Sequence, residues 1–72
     1  MDFNKETALV ETILFLESEP LTAKMLANKA QLSEEVTEKC LEKLKEKYSA
    51  EDSGIELAMI TGGWCLAPKK EY

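Results

Sequence analysis

Two periods of apolar residues divide this chain. Up to Tyr48 apolar side chains return every three or four positions, and from Ile55 onward they return every second position. The clearest stretch is residues 21–48, LTAKMLANKAQLSEEVTEKCLEKLKEKY. Leu21 precedes Thr22, a preferred N-cap residue, and Leu26 lies four residues after that cap, so Leu21 and Leu26 are placed for a hydrophobic staple. Ala23, Met25, Leu26, Ala27 and Ala30 then predict a short helix. Gln31, Leu32 and Ser33 make a turn, with Ser33 as a second N-cap. Glu34 and Glu35 follow where the helix dipole favours acids. Val36, Cys40, Leu44 and Tyr48 recur every four residues with Leu41 beside them, so one stripe of a longer helix faces a core. Two helices joined this tightly form a helix-turn-helix unit.

Residues 1–3 read as a short lead-in. Asn4 is placed to cap a first helix that runs to about Ser18. On a helical wheel Leu9, Val10, Ile13, Leu14 and Leu16 fall within an arc of roughly 160°, which predicts a wide buried face. Phe15 and Ala8 lie well outside it, among Glu11 and Thr12. Phe15 is therefore either exposed, covered by the chain's own tail, or a second contact surface for another subunit or a partner. Glu19-Pro20 closes the helix, because the residue before proline is pushed out of the α region. Leu21 is left to make a residue or two of strand.

Past the polar, turn-rich residues 49–54, Ile55, Leu57 and Met59 alternate with Glu56 and Ala58, the pattern of a half-buried strand. Thr61-Gly62-Gly63 signals a tight hairpin. Trp64, Cys65, Leu66 and Ala67 return as a second strand that Pro68 ends, and residues 69–72 read as a frayed end. The order is helix, short strand, helix, helix, strand, wing, strand. It predicts an α+β winged helix spanning residues 1–72 as one domain. Ile55, Leu57, Met59, Trp64 and Leu66 are expected to complete the core.

Seventy-two residues are enough for one small domain that buries only about 60% of its unfolded surface. No stretch approaches the roughly 20 apolar residues of a membrane span, and the N-terminus lacks the pattern of a signal peptide, so the expected location is cytoplasmic. Cys40 and Cys65 read as reduced core thiols, a disulfide between them being the alternative. With no histidine, a Cys/His zinc site is excluded.

Charge changes the picture more. The nine basic residues are all lysine, the acidic residues number 14, and the net charge is −5. Arginine is the commonest base reader, and an acidic chain repels phosphate. A helix-turn-helix reader enters the major groove with the start of its second helix, which here offers Glu34, Glu35, Thr37 and Glu38. The wing tip carries no cation, and Lys69 and Lys70 alone do not compensate. No direct nucleic-acid contact is expected, although a DNA-binding transcription regulator is the alternative reading. Glu35–Lys39 and Glu42–Lys45 have the spacing of ordinary surface ion pairs. No catalytic residue, cofactor site or metal site is predicted, so the chain reads as a non-enzymatic protein-interaction module.

At this point residues 7–72 resemble a known family. The run Leu9-Val10-Glu11-Thr12-Ile13-Leu14-Phe15, the step Glu19-Pro20-Leu21, the segment Gly54-Ile55-Glu56-Leu57 and Gly62-Gly63 followed by Trp64 and Leu66 look like the N-terminal winged-helix domain of the bacterial segregation and condensation protein B family. Cys65 stands where that family commonly has a basic residue, and Ala67-Pro68 where it has a Val-Thr-like pair. The resemblance implies a role in chromosome condensation and segregation. It implies homodimerisation, binding to the kleisin subunit (segregation and condensation protein A) and, through it, association with the SMC ATPase. It also implies a second winged-helix domain beyond this one, the first serving self-association and the second much of the kleisin binding. Phe3, Phe15 and Trp64 are the expected interface residues, with core packing at the wing base as the competing role for Trp64.

Overall fold

The computed structural model describes residues 3–71, so Met1, Asp2 and Tyr72, which belong to the expected lead-in and tail, lie outside the described residues. Three helices, α1 (Asn4–Leu16), α2 (Ala23–Ala30) and α3 (Glu34–Lys47), precede a hairpin of β1 (Ile55–Ile60) and β2 (Gly63–Pro68). This is the expected winged helix.

The helix-turn-helix forms through local signals. The Thr22 hydroxyl accepts from the Met25 N–H and the Ser33 hydroxyl from the Val36 N–H, each at 3.1 Å. Gln31 ends α2 in the left-handed region (φ 57°). There the Leu32 N–H bonds the Ala27 carbonyl at 3.0 Å and the Gln31 N–H the Asn28 carbonyl, a Schellman ending. Leu21 and Leu26, the two ends of the staple, are both buried. Val10, Leu14, Leu21, Leu26, Ala30, Cys40, Leu41, Leu44 and Leu57 make one core. Thr37 joins them instead of facing solvent at the start of α3. It is fully buried, three and seven residues before Cys40 and Leu44, and its hydroxyl donates to the Ser33 carbonyl at 2.9 Å. Both cysteines are free thiols, Cys40 buried and Cys65 half-buried.

The hairpin is antiparallel with Leu57 opposite Leu66 and Met59 opposite Trp64. Thr61 (φ 49°) and Gly62 (φ 82°) are its two loop residues, both left-handed as a type I′ turn requires. Leu21 adds the short third strand. It exchanges two backbone hydrogen bonds with Trp64, at 2.9 and 2.6 Å. The approach is close enough that a Cβ on Gly63 would stand 2.7 Å from the Pro20 Cβ.

Several expectations need correcting. Asn4 is the first residue of α1 and not its cap. That place falls to Phe3, held left-handed (φ 49°) with no side-chain cap bond, while the Asn4 Oδ1 accepts from Lys43 Nζ at 3.1 Å. Helix α1 stops at Leu16 and not near Ser18, with Glu17 already extended, because residues 17–20 must stretch for Leu21 to reach the hairpin. Its buried face is narrower than the wheel predicted. Val10 and Leu14 are buried and Ile13 packs partly, but Leu9 and Leu16 are exposed. Of the five hairpin residues expected in the core, Leu57 is buried, Trp64 and Leu66 pack partly against it, and Ile55 and Met59 are about half exposed. A six-residue strand runs about 20 Å whereas a helix is only about 10 Å wide, so the ends of the hairpin overhang the helices. Lys69 is not frayed: its N–H bonds the Gly54 carbonyl at 2.9 Å and its Nζ the Ala50 carbonyl at 2.6 Å. Among the described residues the ion pairs join different elements, Lys47–Glu11 at 3.1 Å and Lys29–Glu17 at 3.8 Å, rather than Glu35–Lys39 and Glu42–Lys45.

Candidate protein-interaction surface

Helix α1 has apolar residues on two sides. The inner side carries Val10 and Leu14 into the core. On the outer side Ala8, Leu9, Thr12, Phe15 and Leu16, at helical spacing i, i+1, i+4, i+7 and i+8, are all exposed. Thr12 adds no free polarity here, because its hydroxyl donates back to the Ala8 carbonyl at 2.8 Å. Phe15 is 77% and Leu16 72% exposed. Wholly uncharged, this stripe is a solvent-facing strip of the kind that marks an interaction site.

The strip continues onto the hairpin. Phe15 stands between two shallow clefts, one of about 290 Å³ against Leu14, Glu17, Ala67 and Pro68, the other of about 380 Å³ against Glu11, Thr12 and Tyr48. Ile55 and Leu66 line both. The overhanging end of the sheet therefore joins the end of α1 in one largely apolar surface, bordered by Glu17 and Glu11, which pair with Lys29 and Lys47.

Below the second cleft, Glu11 fastens α1 to α3. Its carboxylate accepts a hydrogen bond from the Tyr48 hydroxyl and one of 3.1 Å from Lys47 Nζ. The Tyr48 bond, reinforced by Lys47, holds the Glu11 carboxyl below the usual range against a smaller opposing effect of burial. The same bond, with burial and the carboxylate charge, pushes the Tyr48 hydroxyl up to about 12. Lys47 Nζ also lies 5.4 Å from the Tyr48 ring centre. Sequence reasoning placed Glu11 on the outer side and missed this tie. Tyr48 was legible as the end of the α3 stripe, but no local spacing links it to a residue so far up the chain.

A separate groove of about 340 Å³ lies between α2, α3 and the wing. Ala23, Leu41 and Trp64 supply its apolar lining, and Glu38, Glu42 and Lys45 its charges. Glu34 and Glu35 are exposed beside it at the start of α3, and the exposed tip of the wing, Thr61 and Gly62, has no cation. The three expected interface residues do not meet. Phe15 is on the outer strip and Trp64 is half-buried in the groove. Phe3 is half-buried against the core, about 18 Å up the axis of α1 from Phe15. Among the described residues no three His, Cys, Asp or Glu side chains are grouped to hold a metal, and no helix is long and apolar enough to cross a membrane.

The sequence model of the segregation and condensation complex subunit ScpB matches residues 8–72. The chain belongs to the ScpB family. A solved ScpB N-terminal domain, crystallised as a dimer complexed with a ScpA peptide, is 31% identical to it with a TM-score of 0.87, over 96% of this chain and 80% of that one. ScpB from Mycobacterium tuberculosis shares the fold at 22% identity and a TM-score of 0.86, over 99% of this chain and 44% of that one. A conserved hypothetical protein from Chlorobium tepidum does so at 17% identity and 0.76, over 93% of this chain and 43% of that one. The chain thus spans less than half the length of the latter two. No curated protein matches it significantly.

Proposed function

We propose that this ScpB-family domain is a non-catalytic, cytoplasmic interaction module of the SMC–kleisin condensin complex, acting in chromosome condensation and segregation by homodimerising and by binding the kleisin ScpA. The observation that carries the dimer is the uncharged strip of Leu9, Phe15 and Leu16 continued by Ile55, surface that a monomer leaves in water. A second copy suits it, because homodimer interfaces are the more apolar class and the strip holds no charge to leave unpaired. The relative that shares 31% of its residues was crystallised as a dimer with a ScpA peptide, which supports both halves of the reading. The start of α3 weighs against a DNA reader, since it sets Glu34, Glu35 and Glu38 where phosphates would lie. A second domain beyond this one belongs to the same reading.

Phe15 is assigned to the dimer contact and Phe3 to packing against the core at the other end of α1. In sedimentation equilibrium the chain should run as a dimer, and Phe15→Glu should run as a monomer with an unchanged circular dichroism spectrum. A folded Phe15→Glu variant that stays dimeric would remove Phe15 from the contact.

A further inference from the structure

We infer that the groove between α2, α3 and the wing docks a basic-apolar segment of the partner, one that seats an apolar side chain between Leu41 and Trp64 and sets a lysine or arginine against Glu38 and Glu42. The inference rests on the kleisin reading above and assigns the place of contact. The groove differs from the α1 strip in the one respect that decides its occupant. The strip is uncharged and takes a like surface, whereas the groove is flanked by carboxylates at Glu38 and Glu42, one turn apart on α3.

Neither carboxylate has an ion-pair partner among the described residues. Both are exposed, and on this net-acidic chain they disfavour a second copy and favour a cation. Between them α3 turns Leu41 inward as the groove floor, and the Leu21–Trp64 bridge fixes the backbone from which the indole forms the far wall. An aromatic wall, an aliphatic floor and an acidic rim are the parts of an anchor pocket with a charged gate. Lys45, at the end of the rim farthest along α3, leaves room for an acidic residue a turn or two beyond the basic one.

Trp64 is the chain's only tryptophan, so its fluorescence reports this groove directly. Overlapping 25-residue peptides covering ScpA of the same organism should be titrated into the chain, following Trp64 emission alongside calorimetry. One peptide should bind, shift the emission and weaken with salt. The double variant Glu38→Lys/Glu42→Lys should lose affinity for it about tenfold, with Glu38→Gln/Glu42→Gln between the two and circular dichroism and dimerisation unaltered. A peptide that binds by calorimetry with unchanged emission, or equally well to the charge-reversed variant, would overturn the groove and leave the kleisin reading standing. If no ScpA peptide binds by calorimetry, the kleisin reading falls, and the groove assignment with it.

Discussion

Helices α1 and α3 are almost equally long, 13 and 14 residues, and are built on opposite principles. Helix α3 begins at a serine cap, carries acids in its first turn and lysines in its last, and buries one stripe of Thr37, Cys40, Leu41 and Leu44. Its other side is charged. Helix α1 has no side-chain cap, no basic residue in its last turn and apolar residues around most of its circumference, of which only Val10 and Leu14 are buried. A helix that is single-sided can be satisfied by its own domain. One that is apolar on two sides leaves one of them in water unless a second body covers it. The difference separates what α3 does for the fold from the apolar side that α1 leaves exposed, which the proposed dimer would cover.

The sharpest test of that difference uses one residue type twice on α1. Leu14 is 3% exposed and Leu16, two positions on, 72%. Leu14→Ala should lower the stability of the domain by about 3 kcal/mol in urea unfolding. Leu16→Ala should change monomer stability by less than about 0.5 kcal/mol and act on self-association instead. Equal losses from both would break the two-sided picture of α1.

The tie between the two helices comes next. Tyr48→Phe removes the hydrogen bond to Glu11 and should cost about 1.5 kcal/mol near neutral pH. The effect has a defined pH window. Glu11 is depressed below 4.5, so its contribution is present above that value and lost as pH falls through the lower folded value. Tyr48 is raised from 10.0 to about 12, so its contribution is complete below pH 10 and lost as pH rises toward 12. Wild type and Tyr48→Phe should therefore converge in stability at both extremes, and a constant difference from pH 3 to pH 12 would detach the ionisable pair from the effect.

The smallest contrast is at the caps. Ser33→Ala should destabilise by about 1 kcal/mol, because the Val36 N–H loses its acceptor. Asn4→Ala should cost less than half of that, since Asn4 caps nothing and only holds Lys43 at the surface. Thermal melts of the two variants side by side would decide it.

What was legible in the sequence follows the range of the interactions. The helix-turn-helix was readable because its signals are local pairs, Thr22 with Met25, Leu21 with Leu26 and Ser33 with Val36, none more than five residues apart, and the wing because Thr61-Gly62 meets the demand for two left-handed residues in a row. Periodicity also put Leu57, Leu66, Met59 and Trp64 on one side of the hairpin, as the register confirms. It did not give depth. A period of two says which way Met59 and Ile55 point, but not whether a helix extends far enough to cover them. The same limit made the buried face of α1 too wide. Phe15 was singled out correctly as lying off that face, yet the clefts beside it depend on where the hairpin docks. The Glu11–Tyr48 bond and the α3–wing groove are products of packing alone, and no stretch of the chain announces either.

The Leu21–Trp64 bridge also has a kinetic consequence. It joins residues about forty positions apart with two backbone hydrogen bonds, in a chain whose other ladders are local. The helices and the hairpin form from near neighbours, so this closure is the step that waits for both. Breaking this seam, together with the Leu57 packing, is the expected route by which the wing would open while the helices persist. The amides of Leu21 and Trp64, which donate the two bonds, should then exchange with solvent at a common rate, faster than those inside α3, and report the opening of the wing directly.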